Sequence, residues 1–212
     1  MVQVINRPAF RHRALPIAIL WLFFGAFGSG DNSRATERER FFTGQLLVAT
    51  PEMKDPRFAE SVIYMVKHDA DGAMGLIINK PLAKGLIDDL LKSSGSEAKG
   101  SQQDIVIHYG GPVSPRQGFM LHSDDSLLKS STKVTDGIAM TADVKMLEAL
   151  AGGKGPRQSL FMFGYAGWAP GQLEAELKTN SWFILPGDKA LIFGGDADKK
   201  WLQAMDKRQI PL

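Results

Sequence analysis

The sequence contains no cysteine, which excludes disulfide bonds, thiolate metal ligands and cysteine nucleophiles. Histidine is also scarce, with 4 in 212 residues, and no two histidines have the close spacing of the usual zinc motifs. The phosphate-binding patterns GxxxxGK[ST] and GxGxxG are absent as well. We therefore expect neither a metal ion nor a cofactor, and the sequence assigns no catalytic residue.

The basic residues are not concentrated in one part of the chain beyond its N-terminus. The net charge of +2 becomes −1 when Arg7, Arg11 and Arg13 are set aside, because 22 basic and 23 acidic residues then remain. A DNA-binding domain usually carries a clustered basic face, whereas the charges here are interleaved. We therefore do not expect direct binding to nucleic acid.

The first 28 residues have the organisation of a signal peptide. Three arginines precede an apolar run at 14–27, the first acidic residue is Asp31, and small residues at Ala26 and Gly28 permit cleavage after Gly28. The run is shorter than the roughly 20 apolar residues of a membrane span, which makes an uncleaved anchor the weaker interpretation. A third interpretation is a start codon placed too far upstream of a cytoplasmic protein.

Three units follow from this N-terminal pattern. They are a signal peptide (1–28), a flexible polar linker (29–40) and one domain (41–212). We expect export to the periplasm, or tethering to the inner membrane by residues 14–28, with a cytoplasmic location as the alternative. Membrane contact is then expected only through the N-terminal segment, if it is not cleaved.

Apolar runs of strand length alternate with a few helical patterns along the domain. The expected strands are at 46–49, at 62–78 as a β-hairpin, at 105–108, at 119–122, at 132–140 as a pair, at 160–163 and at 182–185. Helices are expected near 86–91, from an N-cap at Thr141 to 151, at 172–178 and at 198–205. The unit at 160–185 is interpreted as strand, helix and strand, with the two strands parallel as one option. Together these patterns predict a single mixed α/β (α+β) domain, with about four helices on a curved or barrel-like mixed sheet of short strands.

Three segments carry a family resemblance: GQLLVATP at 44–51, YGGPV at 109–113 and GYAGWAPGQLEAEL at 164–177. With these segments the chain resembles the YqgE/AlgH family, bacterial proteins named as transcriptional regulators without an established mechanism. The resemblance covers roughly 41–201 and supports the curved or barrel-like sheet. It implies a non-enzymatic binding or regulatory domain, and it carries no active-site residue to transfer. We expect the partner to be a protein or a small molecule.

Two glycine-rich segments are the candidate binding site. Gly110 and Gly111 can turn backbone N–H groups toward an anion, and the segment 164–168 is interpreted as a crowded loop that enters a helix. The candidate binding residues are Gly110, Gly111, Tyr165, Trp168 and Gln172. The alternative is structural: the glycines permit tight turns, and the aromatic rings pack on the sheet.

An enzyme is the competing hypothesis. His68, His108 and His122 each lie near the end of a predicted strand, and neighbouring aspartates could complete a general acid-base pair in a groove. That hypothesis requires two of these histidines to lie close to a carboxylate in an open pocket.

Overall fold

The structure is a computed structural model that describes residues 41–97 and 101–208. The predicted signal peptide and linker lie outside the described residues. Ten strands are present in this part of the chain: β1 (Leu46–Ala49), β2 (Val62–Asp69), β3 (Gly72–Ile77), β4 (Pro81–Leu86), β5 (Asp104–Tyr109), β6 (Val113–Ser123), β7 (Thr132–Thr135), β8 (Ile138–Thr141), β9 (Ser159–Trp168) and β10 (Trp182–Leu185).

Five α-helices lie between or after these strands in the described residues. They are α1 (Ile87–Ser93), α2 (Val144–Ala151), α3 (Gln172–Lys178), α4 (Lys189–Phe193) and α5 (Lys200–Arg208), and a short 3₁₀ turn (Ala197–Lys199) precedes the last of them. The expectation of about four helices omitted α4. The described residues form a single mixed α+β domain, as the sequence predicted.

The strands form one sheet around β9. The order is β10-β1-β2-β3-β9-β6-β8-β7, and β5 pairs with the first half of β9 and carries β4 on its other side. The β5–β9 pair is parallel and every other pair is antiparallel. The second half of β9 pairs with β3 through Ala166 and Trp168. Thus β9 joins the two halves of the sheet.

The sheet is curved but does not close into a barrel. No ladder joins the end strands β7 and β10 among the described strands. A side-chain contact joins β2 and β7 across the inside of the curved sheet. The hydroxyl oxygens of Tyr64 on β2 and Thr135 on β7 lie 3.1 Å apart. The main hydrophobic core fills the inside of this curve, with Tyr64, Leu121 and Met162 among its fully or almost fully buried members.

Both faces of the central strands are covered, because the side chains of β1 alternate between two cores. Leu46 and Val48 face the main core, whereas Leu47 and Ala49 face a second core that α3 closes through Leu173. A third core packs α1 and α2 against β6 and β9. Burial on both faces explains why β1 is a continuous apolar run rather than an alternating one.

The segment 164–168 differs from its prediction. It is the second half of β9 rather than a crowded loop. Gly164 has φ +73°, and a Cβ on it would overlap the carbonyl oxygen of Gly111. Glycine is required here because the strand crosses the 110–111 segment at backbone-to-backbone distance. The glycine pattern was therefore a sign of a close chain crossing inside a strand.

The partner of β10 was also predicted wrongly. This strand pairs antiparallel with β1, from Leu46 opposite Leu185 to Ala49 opposite Trp182, and it has no ladder with β9. The unit at 160–185 is therefore not a parallel strand-helix-strand unit. β9 is already flanked by β6 on one side and by β5 and β3 on the other.

Two local features differ as well. The strand β4, which was not among the expected strands, begins at Pro81, because proline is tolerated at the first position of an edge strand that needs no N–H donor there. The N-cap of α2 is Asp143 rather than Thr141, and its carboxylate accepts a hydrogen bond from the backbone N–H of Lys145 at 3.0 Å. The hydroxyl of Thr141 is engaged with His122 and Ser131.

Candidate binding groove

A groove of about 740 Å³ opens beside α3, between the end of β9 and the segment 52–58. We call it the tryptophan groove. Its floor consists of Phe58, Trp168 and Trp182, and its walls include Met53, Val113 and Glu176. The floor belongs to the second core, which explains why the groove is built on rigid elements.

Three aromatic rings of the floor contact one another. The ring centroids of Phe58 and Trp182 are 5.6 Å apart, those of Trp168 and Trp182 are 6.2 Å apart, and those of Phe58 and Trp168 are 6.5 Å apart. Two of the three pairs meet edge to face, the geometry that aromatic rings favour. The indoles are 7% and 3% exposed, so their edges rather than their full faces line the groove.

Glu176 fixes both indoles. Its Oε2 accepts hydrogen bonds from Nε1 of Trp168 at 3.0 Å and from Nε1 of Trp182 at 2.9 Å. Its Oε1 accepts one from Nε2 of Gln172 at 2.9 Å. Because Gln172 and Glu176 are four residues apart on α3, they lie on the same face of the helix. This face is therefore attached to both β9 and β10.

The opposite rim is charged. The guanidinium of Arg57 forms a two-pronged ion pair with Asp55, at 2.6 Å for the closest N and O atoms. This hydrogen bond lowers the pKa of Asp55 below its usual value. The pKa of Glu52 is also lowered, first by a hydrogen bond from the side chain of Thr50. Both carboxylates are therefore ionised at neutral pH.

Of the five predicted binding residues, Trp168 and Gln172 line the groove. Gly110 is not among the lining residues; its N–H donates to the carbonyl of Phe163 at 2.8 Å and its carbonyl accepts from Ile77 at 3.0 Å. Its N–H group therefore contributes to the sheet. Gly111 has φ +148°, and a Cβ on it would overlap the backbone of Tyr165.

The fifth predicted residue, Tyr165, points to the opposite face of β9 from Trp168. Adjacent side chains of a strand alternate between faces, and three positions separate these two. The ring of Tyr165 packs on the main core, with its centroid 5.9 Å from that of Phe119. The structure therefore brings Trp168 and Gln172 together and places Tyr165 away from them.

His68 is the one histidine that contacts a carboxylate in the described part of the chain. Its Nδ1 accepts the backbone N–H of Phe42 at 3.1 Å, so its proton resides on Nε2, which donates to Oε1 of Glu174 at 3.1 Å. The imidazole is buried, with 1% of the side chain exposed. It fastens the start of the domain to α3.

The other two histidines are buried among neutral partners. Nδ1 of His108 donates to the carbonyl of Phe161 at 3.1 Å, and Nδ1 of His122 donates to that of Ser123 at 2.9 Å. Burial lowers the pKa of both imidazoles. The structure thus gives each histidine separate partners. No group of three or more histidine, aspartate or glutamate side chains across 41–97 and 101–208 is arranged to hold a metal ion.

Sequence reasoning did not select Glu176, Trp182 or Phe58. The four-residue spacing of Gln172 and Glu176 on a predicted helix was a usable signal that they share a face. The approach of Phe58 and Trp182 depends on strand pairing far apart in the sequence, which no local pattern contained. Glu174 and Glu176 have separate partners, His68 for the first and the two indoles for the second.

Within the described ranges, no helix has the length and apolar composition that crossing a bilayer requires.

The fold and the groove define a class: a single α+β domain with an open, curved sheet and an aromatic-floored groove on its outer side. The chain belongs to the AlgH-like family, whose family model matches residues 46–212. The resemblance to the YqgE/AlgH family is thereby confirmed.

The relatives are bacterial. A UPF0301 protein of Methylococcus capsulatus is 45% identical over 170 residues, which cover 80% of this chain and 93% of that protein. A UPF0301 protein of Caulobacter vibrioides is 43% identical over 169 residues, 79% of this chain and 87% of that protein. These names state no molecular activity.

Two solved structures share the fold. The solution structure of the AlgH protein from Pseudomonas aeruginosa matches with a TM-score of 0.70 at 37% identity, covering 81% of this chain and 90% of that chain. A crystal structure of a Corynebacterium diphtheriae protein has a TM-score of 0.61 at 20% identity and covers 79% and 87% of the two chains. At that identity the second likeness concerns the fold alone.

Proposed function

We propose that this protein is a non-enzymatic binding module that receives a segment of a protein partner in the tryptophan groove. The observation that carries the proposal is the attachment of both floor indoles to Glu176, which holds the aromatic floor of the groove in one conformation. Pre-organised aromatic surfaces bind well because little side-chain freedom is lost on association. The volume of about 740 Å³ lies within the ordinary range of ligand sites.

An extended peptide suits this groove better than an enclosed small molecule. Glu52, Lys54 and Gln172 on its rim are exposed to solvent, so both ends of an extended chain can leave the site. Val113 projects an apolar side chain, 36% exposed, into the wall. An apolar anchor on the partner would bury this surface, and such anchors provide most of the binding energy at small interfaces.

Any regulation by this protein would then proceed through a protein partner. Direct contact with DNA is disfavoured, because the charges are interleaved and the net charge is −1 once the three N-terminal arginines are set aside.

We propose a periplasmic or membrane-tethered location on the basis of residues 1–28, and a cytoplasmic location is the alternative. Cell fractionation with mass spectrometry of the N-terminus separates them: a product that starts near residue 29 in the periplasm supports export, and a cytosolic product that starts near residue 41 contradicts it.

The enzyme hypothesis receives less support from the geometry. In the part of the chain that the structure describes, His68 alone among the three histidines reaches a carboxylate, and its ring is shielded from solvent. A general base must reach the proton that it abstracts, directly or through one water. We therefore favour binding over catalysis.

Selection from a random-peptide display library against the purified full-length chain tests the proposal. Val113→Asp replaces an exposed apolar side chain of the groove wall with a charge, and Leu202→Asp makes the same kind of change at a residue that is 58% exposed on α5, outside the groove. We expect selected peptides to lose at least tenfold in affinity for V113D and to keep their affinity for L202D. Equal binding to V113D and the wild type, or no enriched peptide, would contradict the proposal.

A further inference from the structure

Glu176 carries a charge that its hydrogen bonds do not neutralise. Its three donors, the two indoles and the amide of Gln172, are all neutral. No lysine, arginine or histidine forms an ion pair with it within the described ranges. From the described residues, Oε2 accepts two hydrogen bonds but Oε1 accepts one, and a carboxylate oxygen has room for two. A lone pair of Oε1 therefore remains available at the groove wall.

The charged residues that line the groove have a net negative charge. Arg57 is paired with Asp55 across both carboxylate oxygens, so this pair contributes little net field. Of the other charged residues that line the groove, Lys54 is the one cation and Glu52 and Glu176 are the two anions, so one negative charge is in excess. The groove therefore favours an occupant that brings positive charge, since electrostatic complementarity selects partners at interfaces.

We infer that the groove is specific for a peptide segment that presents an arginine side chain to Oε1 of Glu176. This inference rests on the proposed function. A guanidinium fits better than an ammonium, because it is less strongly hydrated and one of its N–H groups can donate to the remaining lone pair of Oε1. The side chain of Phe58 and the indole edges of Trp168 and Trp182 line the groove with Glu176 and supply apolar surface for the aliphatic stem of the arginine.

Four peptide pools test the inference. Each pool consists of acetylated, amidated heptapeptides that are randomised at six positions and fixed at the centre as arginine, citrulline, lysine or glutamate. Citrulline keeps the shape of arginine without its charge. On the immobilised full-length chain we expect at least tenfold greater retention of the arginine pool than of the citrulline pool, equivalent to about 1.4 kcal/mol. The lysine pool should lie between them, and the glutamate pool should be retained least.

Two variants assign the preference to Glu176. In Glu176→Gln the ratio of arginine to citrulline retention should fall below about threefold, whereas Asp89→Asn, an exposed carboxylate on α1, should leave it unchanged. Because the first variant alters the hydrogen bonds of the indoles, the double variant Gln172→Glu with Glu176→Gln provides the check. It returns a carboxylate to the same helix face one turn away and should restore part of the preference for arginine.

The outcomes separate the two proposals. Equal retention of arginine and citrulline pools on the wild type, or a ratio that persists in E176Q, overturns the inference about arginine. If V113D at the same time abolishes retention of every pool, the groove still binds peptides and the proposed function stands. If V113D retains every pool as the wild type does, the proposed function fails as well.

Discussion

The Oε2 atom of Glu176 lies 2.9 Å from the indole Nε1 of Trp182, and it shares its second lone pair with the indole of Trp168 at 3.0 Å. One carboxylate on a short helix thus joins the ends of two strands that are not neighbours in the sheet. This relationship has a structural consequence and a functional one, and the two can be measured separately.

The structural consequence concerns stability. Glu176→Ala should leave the N–H groups of Trp168 and Trp182 without an acceptor and lower the free energy of unfolding by roughly 2 kcal/mol, because an unsatisfied polar group costs about 1–3 kcal/mol and water can reach this groove. Glu176→Gln keeps an acceptor oxygen and should cost less than half as much. Urea unfolding measures both. Asp89→Ala, an exposed helix carboxylate, should change stability by less than about 1 kcal/mol, and a loss as large as that of E176A would remove the hydrogen bonds as the explanation.

The crossing of β9 over residues 110–111 should tolerate no side chain. Gly111→Ala places a Cβ where the backbone of Tyr165 lies, at a φ of +148° that other residues rarely adopt, and should lower the free energy of unfolding by roughly 3 kcal/mol or more. Gly153→Ala is the matched control, since its φ is +70° and a Cβ there meets open space. It should lower stability by about 1 kcal/mol. Similar losses in the two variants would show that φ alone matters and that the close crossing does not.

Because His108 and His122 are buried, the free energy of unfolding should decrease as the pH drops below neutral. Burial lowers the pKa of His108 and His122, so below about pH 6.5 the unfolded chain takes up protons that the folded chain does not. The unfolded state then binds more protons, and the free energy of unfolding decreases with falling pH. His122→Gln should reduce this slope by up to about 1.4 kcal/mol per pH unit between pH 6.5 and 5. Urea unfolding at a series of pH values provides the measurement, and an unchanged slope would argue against a neutral, buried His122.

Buried Lys200 should also make the stability increase with pH, in this case at alkaline pH. Lys200 is 2% exposed, donates to the carbonyl of Ile192 and has its pKa lowered to about 8 by burial. Between about pH 8 and its ordinary value of 10.5 the unfolded lysine keeps its proton while the folded one loses it. The wild type should therefore gain stability relative to Lys200→Met as the pH rises from 8 to 9.5. A constant difference between the two proteins over this interval would mean that Lys200 stays charged in the fold.

Much of the fold was readable from local patterns. The hairpin at 62–78 and the strand pair at 132–140 were predicted because Asp and Gly at their turns favour tight reversals. The end of α2 followed from Gly152 and Gly153. Strand partners were not readable in this way, because β10 reaches β1 from more than a hundred residues along the chain, and no periodicity encodes that pairing.

The candidate site was predicted only in part, because local patterns do not show contacts between residues that are far apart in the sequence. Trp168 and Gln172 lie near one another in sequence and in the groove, and both were selected. Phe58 and Trp182 arrive from distant segments, so their contact depends on the folded sheet. Tyr165 was selected with Trp168 because a loop was expected there. In a strand, their odd spacing turns them to opposite faces.

The most direct test of the binding proposal observes the indole N–H signals of the full-length chain by NMR while a peptide recovered from the display library is added. The chain has four tryptophans, and Trp201 donates to the carbonyl of Ala49 rather than to Glu176, which makes it an internal reference. We predict that the indole signals of Trp168 and Trp182 shift together during the titration while that of Trp201 stays in place. Saturable binding that leaves the signals of Trp168 and Trp182 unmoved would place the site elsewhere and contradict the account.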